Sequence, residues 1–359
     1  MDNNCDLICV LGPTASGKTA YAVRLAASFG FQEKEAKEKG AKERDALDRE
    51  AQEKEAKSEG KAQEKGVKCG RTLIPNAEIL SADSRQVYRG MDIGTGKDID
   101  EYYFTPEGKT DSVHIPYHLI DIVDAGKKYN IFEYQRDFEA AYKDVVERHK
   151  VPILCGGSGL YIEAATRGYS LQEVSPNPNL RSDLEKQDTD TLVARLASLK
   201  PLHNKTDYDT RKRLIRALEI AIYQQDHPAN ESHFLPKSTH YIGLDISRET
   251  RNERIDKRLK YRLEHGMVEE VKRLLDNGVK PEDLVYYGLE YKFVTMYLTG
   301  ELTYNEMYEH LAIAIHQFAK RQMTWFRGME RRGIHIDWVN PSAPITSDCK
   351  NIINRTKNT

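Results

Sequence analysis

The distribution of apolar residues along the chain predicts strands that alternate with helices. Short apolar runs of strand length occur at Leu7–Leu11, Glu78–Ala82, His118–Val123, Val151–Cys155 and Tyr241–Ile246. Helical patterns fill the intervals, at Thr19–Phe29, at Phe132–Lys150, from Leu160 onwards, and in long helices that end near Arg332. Because such alternation builds parallel sheets, we predict an α/β fold with a doubly wound parallel sheet.

One segment between the first helix and the second strand interrupts this pattern. From Gln32 to Lys65 the sequence is dominated by Glu, Lys, Ala, Gln, Arg and Gly, and QEKEAK occurs twice. Such a composition cannot bury a core. Glu and Lys at i,i+4 predict that parts of it form a solvated helix. We interpret residues 32–66 as a charged insertion without a catalytic part, and a role in binding a partner stays open.

A second interruption is helical throughout. Residues 171–237 are polar, contain several prolines and show no clear strand, which predicts a small all-helical insertion domain. The predicted division is a core domain at 1–31 and 67–170, the charged insertion at 32–66, the helical domain at 171–237, the C-terminal part of the core domain at 238–340, and a tail at 341–359.

The last long helix carries an apolar stripe at 3.5-residue spacing. Its members are Leu311, Ile315, Phe318, Gln322 and Trp325. This spacing places them on one face of the helix, so we expect the face to be buried. Trp325 is accordingly expected to anchor the core.

The amino-acid composition is that of a globular protein. Charged residues are 31% and hydrophobic residues 39% of the 359 residues, which is typical of a soluble globular chain without a membrane span. The N-terminus leads directly into the first strand, so we expect no signal peptide. The five cysteines show no C-x-x-C spacing, and Cys9 and Cys155 lie in apolar runs as small core residues. This pattern predicts a reducing, cytoplasmic location without disulfides or zinc.

The first apolar run leads into the octet GPTASGKT, Gly12–Thr19, and a helix follows. The octet fits G-x-x-x-x-G-K-[ST] in the strand–loop–helix context that this motif requires. Backbone N–H groups and the helix N-terminus of such a loop bind phosphate, the lysine reaches the terminal phosphates, and the hydroxyl holds Mg²⁺. The sequence therefore predicts a P-loop NTPase-like fold that binds a di- or triphosphate. Whether the phosphate is transferred, hydrolysed or expelled stays open.

The second motif is SADSRQVYRGMDIGTGK, Ser81–Lys97. Asp83 follows the second strand, at the sheet edge that holds the phosphate loop. A carboxylate there can accept a proton from a nucleophile or hold Mg²⁺ through water. It can equally cap the helix that would begin at Ser84 and Arg85. Gly90, Gly94 and Gly96 predict a loop whose backbone is closely approached.

The third motif is GGSGLY, Gly156–Tyr161. Many P-loop NTPases have an acidic Mg²⁺ ligand after the corresponding strand, and its absence weakens an ATPase interpretation. Ser158 is either a donor to a ligand or the N-cap of the next helix. Asp121 and Asp124 are alternative acids on the metal side, and Asp121 can instead be a buried structural carboxylate.

Basic residues cluster in three places although the formal net charge is −2. The clusters are Arg211, Lys212, Arg213 and Arg216; then Arg251, Arg254, Lys257, Arg258, Lys260 and Arg262; then Lys320, Arg321, Arg327, Arg331 and Arg332. Each alone is consistent with a solvated helix face. Together they are equally consistent with binding to a phosphate backbone.

Together these motifs resemble the tRNA dimethylallyltransferase (tRNA isopentenyltransferase) family of bacterial type. The matching stretches are GPTASGKT, SADSRQVYRGMDIGTGK, HLIDI (118–122), GGSGLY, KRLIRALEI (212–220) and FAKRQMTWFR (318–327). The resemblance implies transfer of a dimethylallyl group from dimethylallyl diphosphate to N6 of the adenosine 3′ of the anticodon, position 37. It also implies Mg²⁺ as cofactor, tRNA as partner, no membrane and a monomer.

The resemblance assigns roles to single residues. In catalysis it implies Asp83 as the base, with Ser158, Lys18 and Arg254. The diphosphate ligands would be Gly12, Pro13, Thr14, Ala15, Ser16, Gly17, Lys18, Thr19 and Arg254. The Mg²⁺ ligands would be Thr19 and Asp83. The tRNA contacts would be Asp83, Ser84, Arg85, Gln86, Ser158, Arg181, Lys212, Arg213, Leu214, Ile215, Arg216, Lys320 and Arg321.

The chain departs from the family pattern in its charged insertion, in Ser158 where threonine is commoner, and in YYGLEYK around Tyr286. Three other functions are compatible with the P-loop: isopentenyl transfer to free AMP, a small-molecule kinase that uses ATP, and an RNA-binding module without catalysis. The basic stretches at 212–216 and 320–327 favour tRNA over AMP.

Overall fold

The computed structural model describes residues 5–35, 71–108, 110–168, 174–200, 208–227 and 236–345. Within these ranges the strands are β1 (Leu7–Leu11), β2 (Phe31–Glu35), β3 (Arg71–Pro75), β4 (Ala77–Ser81), β5 (Tyr88–Arg89), β6 (Tyr103–Phe104), β7 (Val113–His114), β8 (Tyr117–His118), β9 (Val123–Asp124), β10 (Val151–Gly156), β11 (Thr239–Leu244) and β12 (Ile336–Val339).

The helices surround these strands. They are α1 (Lys18–Ser28), α2 (Ile131–Glu147), α3 (Gly159–Arg167), α4 (Pro178–Glu185), α5 (Thr189–Leu199), α6 (Arg211–Asp226), α7 (Arg248–Glu264), α8 (Met267–Asp276), α9 (Pro281–Tyr287), α10 (Leu289–Leu298) and α11 (Tyr304–Arg331). A short 3-10 helix spans Ile99–Tyr102. No helix in the described part of the chain is long and apolar enough to cross a lipid bilayer.

The central sheet has the order β12-β11-β1-β10-β4-β8, and all of its pairings are parallel. Side chains of β1 alternate between two buried clusters, with Leu7 and Leu11 on one face and Ile8 and Val10 on the other. A strand that is buried on both faces reads as a continuous apolar run. The predicted α/β fold with a parallel sheet is therefore confirmed.

The predicted strand His118–Val123 is wrong. β8 ends at His118, because Leu119 and Asp121 have positive φ angles of 65° and 57°, which cannot continue a strand. The chain leaves the sheet there, and Val123–Asp124 pairs instead with Tyr88–Arg89. The Asp121 amide donates to the Gln86 carbonyl at 3.1 Å, so the detour packs against the segment after β4.

The first residues of the predicted charged insertion form a strand. Residues from Gln32 to Glu35 belong to β2, which pairs antiparallel with β3 so that Phe31 lies opposite Pro75 and Glu35 opposite Arg71. The start of the insertion at Gln32 stays a prediction. The predicted solvated helix and most of residues 32–66 lie outside the described residues.

Helices α4, α5 and α6 share a hydrophobic core of their own. It includes Leu184, Leu192, Leu196, Leu214 and Leu218, each fully buried. This cluster is separate from the two clusters that cover the sheet. The domain boundaries predicted from the sequence stay a prediction.

Trp325 is not the core anchor that the stripe predicted. Leu311, Ile315 and Gln322 are buried on α11, but Phe318 and Trp325 are each 37% exposed. The prediction is wrong because a side chain that lines a cavity follows the same helical periodicity as one that fills a core. Cys9 and Cys155 are buried, as predicted.

Candidate active site

A cavity of about 860 Å³ opens beyond the ends of β1, β4 and β10. The loops that follow these three strands line it, together with α7 and α11. In parallel α/β sheets, ligands bind at this carboxyl edge. The fold therefore brings the three sequence motifs to one place.

Many of the residues that the resemblance singled out line this cavity. They are Thr14, Ala15, Gly17, Lys18, Thr19, Asp83, Ser84, Arg85, Gln86, Ser158, Arg213, Arg254 and Arg321. The other candidates are not part of the lining: Gly12, Pro13 and Ser16 are buried within the phosphate loop, and the rest are Arg181, Lys212, Leu214, Ile215, Arg216 and Lys320.

The phosphate loop has the backbone of an anion site. Ala15 and Gly17 have positive φ angles of 61° and 85°, a conformation that turns successive N–H groups to one side. Gly17 is the N-cap of α1, with no side-chain cap and no acidic residue in the first turn. The first N–H groups of α1 are therefore free for a negatively charged ligand.

Lys18 folds back onto its own loop. Its ammonium donates to the Pro13 carbonyl at 2.9 Å. Burial lowers the pKa of Lys18, while Cys155, Asp83 and Glu101 oppose this shift and Arg258 adds to it. An anion bound in the loop would offset the cost of burying the ammonium.

The loop also contains an unpartnered hydroxyl. Ser16 Oγ is buried and has no hydrogen-bond partner among the described residues. Thr19 and Asp83 offer a hydroxyl and a carboxylate to the same cavity, and Mg²⁺ prefers oxygen ligands. In the described ranges no three His, Cys, Asp or Glu side chains are grouped to hold a metal ion. The donors fit a magnesium ion that takes most of its ligands from phosphate and water.

Asp83 caps a turn and keeps one oxygen available. Its Oδ1 accepts from the Arg85 amide at 2.9 Å, but residues 84–87 form a turn and no helix starts there. Among the described residues no hydrogen bond reaches Oδ2. The predicted helix cap is therefore wrong, because Asp83 caps a turn instead. The role of Asp83 as a base stays a prediction.

Both the oxygen and the nitrogen of the Gln86 side-chain amide form hydrogen bonds within the protein. Its Oε1 accepts from the Ser81 hydroxyl at 2.9 Å, and its Nε2 donates to the Gly96 carbonyl at 3.0 Å. The side chain is 8% exposed. It therefore fixes the glycine-containing loop 90–96 beside the cavity.

Ser158 links two loops. It occupies the N-cap position of α3, but its side chain makes no cap hydrogen bond. Its Oγ instead accepts from the Ser84 amide at 3.2 Å and lies 3.4 Å from the Ser84 hydroxyl. The N–H groups at the start of α3 are therefore not occupied by a capping side chain.

The glycines of GGSG are required by close approach. A Cβ at Gly156 would collide with the Ala82 carbonyl, one at Gly157 with the Gln322 amide, and one at Gly159 with the Trp325 indole. The loop therefore lies directly against both β4 and α11. Any larger residue would push these elements apart.

The cationic side of the cavity is formed by α7. Arg254 is exposed and has no ion pair among the described residues. Arg258 contacts Asp98 at 2.8 Å and Arg262 contacts it at 3.5 Å. Burial and the neighbouring Arg258 lower the pKa of Arg262 to about 10, against Asp98 and Glu290.

The sequence analysis did not identify the acidic residues near these arginines, Asp98 and Glu101. Both line the cavity, Asp98 as the N-cap of the 3-10 helix and Glu101 within it. Burial, together with the charge of Asp98, raises the pKa of Glu101. No motif marks these two acids. Arg258 and Arg262 do follow Arg254 at i+4 and i+8, a spacing that places all three on one face.

Another part of the lining carries aromatic side chains. Phe318 and Trp325 are joined there by Leu160, which is 43% exposed. The Arg321 guanidinium lies 5.9 Å from the centre of the Phe318 ring. At the rim, Arg85 lies 5.8 Å from the centre of the Tyr286 ring. Flat apolar surfaces beside cations suit a planar base or an isoprenoid chain.

The predicted tRNA contacts on α4 and α6 are largely engaged in the fold. Arg181 and Arg216 both form ion pairs with the buried Glu219. Leu214 and Ile215 are buried in the core of the helices. Lys212 is exposed, as is Arg213, which pairs with Asp209 at 2.7 Å. Lys320 is exposed on α11.

The alternative metal-side acids lie outside the cavity. Asp121 forms an ion pair with Lys97, whose side chain is fully buried. Asp124 pairs with Arg89 at 2.7 Å and with Lys127 at 3.0 Å. Both carboxylates therefore stabilise the segments that flank loop 90–96, although Asp121 is less buried than predicted, with 39% of its side chain exposed.

Comparison with known proteins agrees with this geometry. A profile of the IPP transferase family matches residues 86–329. The chain is 49% identical over 340 residues to tRNA dimethylallyltransferase 2 of Bacteroides fragilis, with 95% of this chain and 94% of the relative covered. It is 47% identical to tRNA dimethylallyltransferase 1 of Porphyromonas gingivalis, with 97% and 98% covered.

Solved structures agree as well. The tRNA isopentenylpyrophosphate transferase of Bacillus halodurans superposes with a TM-score of 0.58 at 27% identity, with 98% of this chain and 95% of that chain covered. A eukaryotic dimethylallyltransferase acting on tRNA shares the fold, with a TM-score of 0.61 at 21% identity and coverage of 93% and 74%. By sequence profile, close relatives and structure, the chain belongs to the IPP transferase family.

Proposed function

We propose that the chain transfers a dimethylallyl group from dimethylallyl diphosphate to N6 of adenosine 37, 3′ of the anticodon of tRNA. The products are isopentenyladenosine and diphosphate. The observation that carries the proposal is the juxtaposition in one cavity of an anion loop without a side-chain cap and the Asp83 carboxylate with one unengaged oxygen.

The donor binds on the phosphate-loop side. The C–O bond of the allylic diphosphate breaks, and negative charge grows on the leaving diphosphate. Lys18 and Arg254 line the same cavity as the phosphate loop, and together with the N–H groups of the loop they would stabilise this charge. Thr19 and Asp83 would hold Mg²⁺, which when bound adds positive charge at the diphosphate.

The acceptor approaches from the Asp83 side. The N6 amine attacks the allylic carbon, a C–N bond forms, and the amine loses one proton. Asp83 Oδ2 accepts this proton, and Ser158, which lines the same cavity, would donate a hydrogen bond near the reacting centre. An adenine amine is a weak nucleophile, so the base acts as the new bond forms.

The tRNA has to present an unstacked base. Base-modifying enzymes take the target nucleotide out of its stack. The aromatic wall of Phe318 and Trp325 suits such a base, and Lys212, Arg213 and Lys320 supply exposed positive charge for the phosphate backbone. We propose that one chain suffices for this, as a monomer.

A radiolabel transfer assay tests the proposal. Purified protein, Mg²⁺ and labelled dimethylallyl diphosphate are offered unmodified tRNA in one reaction and AMP in another. Label on tRNA alone supports the proposal. Label on AMP alone would assign transfer to the free nucleotide, and label on neither acceptor would direct the test to ATP and kinase activity.

A further inference from the structure

Gln322 on α11 contacts both loops that form the cavity. Its side chain is 7% exposed. Oε1 accepts from the Thr14 amide at 2.8 Å, and Nε2 donates to the Gly157 carbonyl at 2.9 Å. One side chain from the C-terminal helix therefore connects the phosphate loop after β1 to the GGSG loop after β10.

Each of these hydrogen bonds fixes a peptide group that is also held at its other end. The Thr14 N–H shares a peptide group with the Pro13 carbonyl, which accepts from Lys18 Nζ. The Gly157 carbonyl shares one with the Ser158 N–H, which donates to the Ala82 carbonyl at 3.3 Å. With both ends held, neither peptide plane can rotate.

The two ends of the first peptide group are held from different parts of the fold. The Pro13 carbonyl accepts from Lys18 Nζ and from the Ser16 amide at 3.3 Å, both within the phosphate loop and the first turn of α1. Among the described residues, the Gln322 hydrogen bond is therefore the contact that ties this peptide group to another part of the chain. A rotated peptide would present a carbonyl oxygen where an N–H group is needed.

The packing around Gly157 leaves no alternative arrangement. A Cβ on Gly157 would lie 2.5 Å from Gln322 Nε2 and 3.2 Å from the Gly12 carbonyl. The two loops and the Gln322 amide thus touch without space between them. The glycine at this position is explained by Gln322.

We propose that Gln322 is a positioning residue that holds the phosphate loop and the Ser158 loop in one fixed relation during the transfer. The inference rests on the proposed transfer reaction. Although Gln322 borders the cavity, it acts through the two loops that its amide bonds and not as a contact to the reacting atoms.

Two variants separate the two hydrogen bonds. Gln322→Met keeps the length of the side chain and removes both bonds. Gln322→Glu keeps the acceptor for Thr14 and replaces the donor to Gly157 with a carboxylate oxygen. Thr324→Ala is the matched control on the same helix, because Thr324 is exposed and its hydroxyl, among the described residues, bonds only the Lys320 carbonyl of its own helix.

We expect Gln322→Met to lower kcat about 10–100-fold, with a smaller change in KM for dimethylallyl diphosphate, because misplaced groups lose most in the transition state. Thr324→Ala should keep kcat within about twofold. Circular dichroism and the thermal midpoint establish the folded fraction of each variant. A kcat for folded Gln322→Met within threefold of wild type would overturn the proposal.

The pH dependence of Gln322→Glu gives a readout that packing alone does not move. When protonated, the introduced carboxyl has the shape of the amide and an O–H that donates to the Gly157 carbonyl. The ratio of variant to wild-type kcat should therefore rise as the pH falls. A ratio that is constant between about pH 8 and pH 5.5 would contradict the positioning role.

The wild-type reaction keeps the two proposals apart. If the wild-type protein does not transfer the allyl group to tRNA, the proposed function fails. If the wild-type protein transfers the group and the folded Gln322 variants have the same kcat, only the positioning role fails.

Discussion

Helix N-termini at the cavity and in the region of α4–α6 differ in their capping. Asn177, Asp188 and Thr210 each cap their helix with a side-chain oxygen. At the cavity, α1 begins after Gly17 and α3 after Ser158, and neither has a side-chain cap. Capping completes a helix within the protein, whereas the open termini leave N–H donors for a ligand.

Three arginines to which the resemblance assigned ligand contacts also differ between the two regions. In the helical region Arg181 and Arg216 bind the buried Glu219. On α7 the cavity residue Arg254 has no ion pair within the described ranges. The resemblance assigned ligand contacts to both groups, but only the second group is available in this structure. Motif matching thus locates both kinds of residue, and the surrounding contacts distinguish them.

The sharpest test of the cavity is the substitution Asp83→Asn. It keeps an oxygen for the Arg85 amide and so preserves the turn, but it removes the base. We expect the rate of transfer to tRNA to fall about 10²–10⁴-fold. Single-turnover transfer of labelled dimethylallyl groups measures this loss.

The control for this substitution is Asp226→Asn, on the exposed end of α6, which should transfer at the wild-type rate. Full activity of Asp83→Asn would show that the carboxylate serves the turn alone. In that case the chain would lose its candidate base.

Two arginines test the comparison directly. Arg254→Ala should raise KM for dimethylallyl diphosphate about tenfold, because one charge-assisted contact to the leaving group is lost. Arg181→Ala should leave that KM unchanged and lower the thermal midpoint, because it removes a partner of Glu219. Steady-state kinetics with tRNA in excess and thermal unfolding measure the two effects. If Arg181→Ala raised this KM and Arg254→Ala lowered only the thermal midpoint, the roles assigned to the two arginines would be reversed.

The parts of this site that the sequence revealed are local in the chain. Gly12–Thr19, Asp83 and Ser158 each directly follow a buried strand, and parallel strands carry their C-terminal ends to one edge. Gln322 bonds Thr14 across 308 positions, and nothing in its own neighbourhood indicates that partner. Periodicity correctly predicts that Gln322 is buried but not what it contacts.

The wrong predictions have a common physical origin. Trp325 and Phe318 occupy helix positions that face inward, and periodicity does not tell an interior cavity from a core. At Leu119 a positive φ ends β8 in a run whose apolar residues favour a strand. The amides of residues 121–123 bond the carbonyls of Gln86 and Val87 there, and these long-range contacts have no signal in the local sequence.

A further prediction concerns the region of α4–α6, where Arg181 and Arg216 both pair with Glu219. Burial would raise the pKa of this carboxyl, but hydrogen bonds from Arg181, the Asn177 amide and Arg216 outweigh it and lower the pKa to about 2. Glu219→Gln should lower the free energy of unfolding by about 2 kcal/mol at pH 7, below the usual value for a buried pair because both arginines are partly exposed.

The effect of Glu219 has a defined pH dependence. A folded pKa of about 2 lies below the ordinary value of 4.5, so the stabilisation is complete above pH 4.5 and is lost as the pH falls towards 2. The difference in thermal midpoint between wild type and Glu219→Gln should therefore shrink below pH 4.5. A difference that stays constant down to pH 3 would refute the role of the charge.

The smallest effect is expected from the charged insertion, which belongs to neither region. β2 and β3 pair antiparallel up to Glu35 and Arg71, so these two residues lie directly opposite each other. A two-residue Asn-Gly turn can close an antiparallel pair at that point. Replacing residues 36–70 by Asn-Gly should therefore preserve the ladder, and the rate of transfer should stay within about twofold of wild type.

As a control, a deletion that extends into Gln32–Glu35 removes the ladder and should lower the thermal midpoint. A large loss of transfer in the first variant with an unchanged thermal midpoint would instead give the insertion a part in binding tRNA.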